Sequence, residues 1–382
     1  MRGTGLIAVL TFALAAAIPA FAADDPNEQV TTKPLPPATP QRIYLGDFTI
    51  NHVMDGRLNV IDGRSMKLLG IVATGFAGLP ALSPDRKELY VATTYYTRLN
   101  HGDRVDVVDV YDLATLERKD EIAIPPKHAM ALPYHGVIRT SFDGRWLFVQ
   151  NATPSQSVSV VDLRARKFVA EIMTPGCWMV LPSQTFAPRF SALCGDGTVL
   201  TVTLNDDGTQ QAMKRSARFF DPDADPLFVH AENIGDRYFF VSFKGRVYTA
   251  DLGNELAQFE PVWSLVTPAE ERAGWRPGGY QPLAVHEASG RLYVGMHPKG
   301  AEGSHKNPAT SIWVFDVAER KRIGRAPGNN AIAIATSRDA RPTLYAIDGV
   351  KMALVAYDTL PRLVAKRRMD SVAEAGTLLE MH

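Results

Sequence analysis

Cysteine is nearly absent: Cys177 and Cys194 are the only two in 382 residues, and they lack both CxxC spacing and neighbouring metal ligands. A disulfide-dense scaffold is therefore excluded. In an oxidising compartment the two would most simply form one disulfide between neighbouring strands; the alternative is a metal-binding or redox-active thiol pair. An excess of charge of one sign is also missing, with 41 Lys and Arg against 41 Asp and Glu. No basic face is available to track a phosphate backbone, so nucleic acid is not an expected partner. Beyond the N-terminus no apolar run approaches the roughly eighteen residues of a membrane span. The GxSxG, HExxH, P-loop and dinucleotide signatures are missing as well, which removes the common hydrolase, zincin and nucleotide chemistries. Helical signal is confined to Thr267–Trp275, where an N-cap Thr, a Pro and two acidic residues precede Gly274.

What is present begins with an export signal. Arg2, the apolar run Leu6 to Ile18 and Ala20-Phe21-Ala22 predict a signal peptide over 1–22 and a periplasmic mature chain. Residues 23–42 are polar and proline-rich, predicting an extended arm that is disordered or lies along a partner. The remainder, 43–382, reads as one domain.

Seven short apolar runs end on or near an Asp or a turn: 59–63, 107–113, 158–163, 199–206, 247–252, 312–317 and 354–358. Six terminal aspartates, Asp62, Asp112, Asp162, Asp251, Asp316 and Asp358, are spaced by 50, 50, 89, 65 and 42 residues, the 89 covering two units. A period of about 40–50 is the length of a four-stranded blade, so the expected fold is all-β, a seven-bladed β-propeller of four-stranded antiparallel blades. Recurrence also argues that these aspartates set turns, because a catalytic carboxylate pair would be unique.

Binding residues are expected where the repeat is broken. Three long connections stand out, 95–104, 125–138 and 297–309. Phe76, held between Gly75 and Gly78, is a candidate for an exposed aromatic at one end of the array, with Tyr95, Tyr96, Trp178 and Phe186 as companions; a core or loop-anchoring role is the alternative. His128 and His135, and His297 and His305, are the nearest approach to histidine clusters. With Glu302 the second pair could bind a metal, although the interleaved Lys299 and Lys306 suit a polar structural loop better.

Several segments together resemble a known family. They are HGDRVDVVDVYDLATL at 101–116, CWMVLP and CGDGTVLTVTL within 177–204, WRPGGY at 275–280, GRLY at 290–293 and MHPKGAEGSHKNPATSIWVFD at 296–316. The chain is similar in these to the heavy (large, beta) subunit of the quinoprotein amine dehydrogenases, which include methylamine and aromatic amine dehydrogenases. The resemblance implies a periplasmic heterotetramer of two heavy and two cysteine-rich light subunits. The light subunit would carry tryptophan tryptophylquinone and the general base, and a blue copper protein of azurin or amicyanin type would accept electrons. This chain would hold no catalytic residue, cofactor or metal. Phe76 would line the channel for a small primary amine, and Cys177 and Cys194 would match the family disulfide. Aromatic amines are the expected preference over methylamine, from the 296–306 loop. A secreted propeller serving as a noncatalytic protein-binding scaffold is the alternative.

Overall fold

The computed structural model describes residues 33–48, 52–130 and 134–382; the signal peptide and most of the 23–42 arm lie outside them. Residues Leu35–His382 form one compact unit. Within this unit, Leu35 donates its N–H to the Ala114 carbonyl at 2.7 Å, so the described end of the arm rests on the chain itself. The first strand is Arg42–Asp47.

The unit is all-β, built of antiparallel sheets, two of them four-stranded and the others larger. One comprises Ile138–Thr140, Trp146–Asn151, Ser157–Asp162 and Lys167–Met173, and the next Cys177–Pro182, Arg189–Cys194, Val199–Leu204 and Gln210–Arg215. A third holds Glu232–Ile234, Arg237–Val241 and Arg246–Asp251, with Gln258–Phe259 and Trp263–Ser264 completing its edge. Two larger sheets each contain a long strand that changes partner midway. Lys67–Leu82 pairs first with Gly56–Asp62 and then, from Phe76 on, with Glu88–Arg98. Lys321–Thr336 likewise passes from Ala309–Asp316 to Thr343–Asp348. The C-terminal strand Gly376–Met381 pairs with Arg42–Asp47, joining the two ends of the unit.

All seven apolar runs read in the sequence are strands with a neighbour on each side. Sheet stacking explains why they are so apolar: Trp146–Asn151 is buried at every position, and Trp146, Phe148, Phe190 and Val202 form one cluster linking two successive sheets. Five of the six strand-ending aspartates set turns. Asp62, Asp112, Asp162, Asp251 and Asp316 accept backbone N–H groups from Arg64, Ala114, Arg164, Gly253 and Glu319 at 2.8–3.0 Å. At the same strand ends a Ser-x-Asp turn recurs, Glu88 facing Asp112 and Trp146 facing Asp162 across the ladder. Ser83 donates to Asp85, Ser141 to Asp143 and Ser337 to Asp339, and each serine accepts an N–H from the strand that follows. The one α-helix among the described residues is Pro268–Arg272, closed by a capping box between Thr267 and Glu270.

Cys177 and Cys194 face each other in register, Cα atoms 3.9 Å apart, and are joined in a disulfide. Their separation of 17 residues sets the size of the loop that the bond closes. Replacing both by alanine is expected to lower unfolding stability in urea by about 3 kcal/mol, through the entropy regained by the unfolded chain.

Glu88 ties successive sheets together by accepting from Arg166 at 2.7 Å, with Tyr90 and Lys119 on the same carboxylate. Burial would raise this carboxyl; the bonds from Arg166, Tyr90 and Lys119 outweigh it and hold its pKa at about 2 instead of 4.5. A depressed folded-state value means stability that is complete above pH 4.5 and lost as pH falls toward about 2. Glu88→Gln should therefore flatten the acid limb of a stability-versus-pH curve in that window, as read by urea unfolding at successive pH values.

Candidate functional site

Antiparallel alternation places the connections at two opposite sets of strand ends. The Ser-x-Asp turns mark one end. The hairpin tip Leu99-Asn100, the 125–137 connection and the 298–308 loop all leave from the other. Phe76 belongs to this second end. It lies inside Lys67–Leu82, in register with Thr94, at the point where that strand changes partner. Phe76 is thus part of a strand and not of a connection. The reason is local: Gly75 and Ala77 both have positive φ, 62° and 49°, which interrupts the ladder at Phe76 without ending the strand. The half-buried ring packs edge-on against Tyr96, centroids 5.7 Å apart.

The expected 95–104 loop is a hairpin, since Glu88–Arg98 and His101–Asp112 pair almost to the tip. Its base is held by one buried carboxylate. Asp106 receives both guanidinium edges of Arg104 at 2.7 and 2.6 Å, the Thr94 hydroxyl at 2.7 Å and the Nδ1–H of buried His128 at 2.7 Å. Burial alone would raise the Asp106 carboxyl; the bonds from His128 and Arg104 prevail and hold it far below the usual carboxylate range. Asp106 thus clamps two pieces together: the hairpin bearing Tyr95 and Tyr96, whose first strand is also the partner of Phe76, and the start of the 125–137 connection.

Of the other aromatic candidates, Tyr95 is exposed and donates to Asp109 at 2.6 Å. Trp178, half-buried, begins the Cys177–Pro182 strand at the Phe76 end. Phe186 does not join them. It sits beneath Arg189 in the turn at the opposite end of that strand, because one strand length separates the two rings. The paired-histidine readings also separate. His297 is buried with Nδ1 near the Pro298 carbonyl, whereas His305 is exposed beside Lys306. Glu302, His305 and Lys306 instead line a surface pocket of about 870 Å³ with Tyr134, Phe228 and Tyr280, on the Phe76 end.

Sequence reasoning missed a polar channel through the middle of the unit. Its walls carry Arg86, Arg139, Arg338, His135, Glu232 and Glu380, residues spread over nearly 300 positions. Among the described residues His135, His230 and Glu232 are the one group able to offer three metal-ligand atoms, all within 4.8 Å. Both His135 nitrogens are already engaged: Nδ1 accepts from Arg139 at 2.7 Å and Nε2 donates to the Leu379 carbonyl at 2.9 Å. Burial, with the Arg139 charge behind it, pushes His135 down to about 4 and leaves it neutral near pH 7. The group is a satisfied polar cluster. The only signal in the sequence was the recurring Ser-x-Asp turn, which delivers Arg86 and Arg338 to the channel.

The family model of the methylamine dehydrogenase heavy chain matches residues 39–379. The chain belongs to the methylamine dehydrogenase heavy chain family. Among curated relatives, the methylamine dehydrogenase heavy chain of Methylobacillus flagellatus is 30% identical over 370 residues, covering 92% of this chain and 91% of that one. The heavy chain of Methylorubrum extorquens is 29% identical, covering 91% and 83%. Solved structures share the fold alone. A periplasmic gluconolactonase of Pseudomonas aeruginosa matches with TM-score 0.61 at 16% identity over 89% of this chain and 98% of its own. A putative 6-phosphogluconolactonase of Bacteroides uniformis matches with TM-score 0.63 at 11%, over 89% and 99%.

Membership of the methylamine dehydrogenase heavy chain family raises the question of a tryptophan-derived quinone on this chain. Trp275 and Trp313 lie near each other, centroids 5.1 Å apart. Trp313 is nevertheless wholly buried, packed with Phe239, Val294 and Phe315 and capped by Arg322 at 4.2 Å. An amine could not reach a quinone there without dismantling the core, so this pair does not fit the group.

Proposed function

We propose that this chain is the heavy subunit of a periplasmic tryptophan tryptophylquinone amine dehydrogenase, exported by residues 1–22, with 23–42 as an arm and seven blades beyond. The blade count is supported by the two long strands. Dividing Lys67–Leu82 and Lys321–Thr336 at their changes of partner resolves the sheets into seven four-stranded units, one closed by Gly376–Met381.

The observation that carries the functional reading is the family match across 39–379, with relatives aligned over about nine-tenths of the chain. In the proposed assembly the quinone, held by a cysteine-rich light subunit in a heterotetramer of two heavy and two light chains, supplies oxidation of a primary amine to aldehyde and ammonia, with a blue copper protein as electron acceptor. This chain's residues bind and exclude. The end carrying Phe76, Tyr96, Trp178 and the Tyr280 pocket docks the light subunit, and the Phe76 ring narrows the amine entrance and keeps water from it.

Methylamine is the substrate that the relatives' names support. Aromatic amines are the second reading, supported by the 296–306 loop. Comparing kcat/KM for methylamine and phenethylamine on the native complex separates them. Removing this chain from cells should abolish amine-dependent reduction of the copper acceptor; undiminished amine oxidation in its absence would contradict the proposal.

A further inference from the structure

The central channel has a charge imbalance that the amine reading does not use. One cavity, of about 420 Å³, and a smaller one beside it share His135, Gln184, Asn233, Arg338 and Glu380 as walls; the smaller adds Arg86 and Arg139. Three guanidinium groups therefore face a common space. Arg139 is occupied, donating to His135 at 2.7 Å and lying 3.7 Å from Glu380. Glu232 is taken by His230 at 3.2 Å. The neutral walls are also spent: Gln184 donates to the Pro182 carbonyl and to Tyr238, Asn233 to the Gly235 carbonyl and Gln281 to the Leu379 carbonyl. Glu287, at the rim of the larger cavity, is exposed to solvent.

That leaves Arg86 and Arg338, whose side chains have no hydrogen bond or ion pair among the described residues. Arg86 is aimed by its turn, where it holds a positive φ of 59° next to the Ser83–Asp85 bond. Burial and then the charge of Arg338 pull its pKa down to about 10, opposed by the Glu380 carboxylate, so Arg338 and Glu380 both lie within electrostatic reach of Arg86. Glu380 answers part of this positive charge but is already shared with His135 at 3.2 Å and Arg139 at 3.7 Å, so an added anion would relieve the repulsion that remains. A guanidinium presents its N–H groups as a planar fork that matches the paired oxygens of a carboxylate or phosphate.

We propose that the channel mouth at the Ser-x-Asp turns binds a small oxyanion, a carboxylate or phosphate, between Arg86 and Arg338. The site lies at the strand ends opposite Phe76, so it is independent of the amine-entrance reading and can fail or stand separately from it.

The test is calorimetric titration of the purified native protein with inorganic phosphate and, separately, with malonate, each at constant ionic strength set with chloride. Saturable binding of at least one anion is expected, weakened tenfold or more in Arg86→Gln and in Arg338→Gln. Binding of phosphate alone identifies a phosphate site, and binding of malonate alone a carboxylate site. Arg338→Gln, at an exposed position with no bond to lose, should fold as well as wild type while losing the rise in unfolding temperature that the anion confers; it carries the test if Arg86→Gln folds poorly. No saturable binding of either anion, or unchanged binding in the double variant, would overturn the proposal.

Discussion

Replacing Asp106 by alanine is expected to produce the largest loss of stability of any single change at the Phe76 end, about 3–5 kcal/mol, the range for breaking a buried ion pair from one side. The carboxylate is fully buried and serves Arg104, Thr94 and His128 at once. Its removal strands a buried hydroxyl and a buried imidazole with no water to replace what they lose, and leaves the partly exposed Arg104 guanidinium unpaired. Asp106→Asn should cost less but still substantially, because an amide keeps the shape and gives up the charge that two of the three bonds depend on. Urea unfolding measures the loss. Light-subunit affinity should fall with it, since the same carboxylate joins the 88–112 hairpin to the 125–137 connection. Binding that stays at wild-type strength in Asp106→Asn would remove that hairpin from the docking surface.

Phe76→Ala is expected to change which amines are oxidised, with little effect on stability. The ring is half-buried and touches Tyr96 edge-on, in a strand whose ladder is already interrupted on both sides. Truncation enlarges the entrance without opening the core. A change of this kind in an apolar wall is worth about 1–3 kcal/mol between competing substrates, or roughly 10–200-fold in the ratio of their kcat/KM values. The ratio for phenethylamine over methylamine should rise, with the heterotetramer intact by gel filtration. Tyr96→Ala should shift the ratio in the same direction, because it removes the surface that Phe76 leans on. An unchanged amine profile in Phe76→Ala would take the residue out of the channel.

The architecture was legible because a blade repeats its chemistry. Each apolar run had to be buried between stacked sheets, and five of the six terminal aspartates turn the chain, so periodicity and turn residues carried the same message. Cys177 and Cys194 were legible for a related reason, being opposed across one hairpin. Features that depend on closing the ring were not. Arg86, Arg139, Arg338 and Glu380 meet only because strands distant in sequence converge at the centre. The 95–104 segment was misread as a loop for another reason. Its polar residues, Thr97 to Arg104, form an exposed hairpin tip whose pairing rests on backbone bonds and not on apolar alternation. The position of Phe76 depended on a partner change within one strand, which a sequence pattern does not display.

The central claim is that the chemistry resides on a partner that this chain docks. Purifying the native protein from the periplasm and recording its absorbance and intact masses, with and without a primary amine, tests it most directly. The account predicts a co-purifying cysteine-rich chain bearing a crosslinked tryptophan pair, with a quinone band that the amine bleaches. Recovery of this chain alone, with no such band and no amine response, would contradict it and leave a noncatalytic secreted scaffold as the better description.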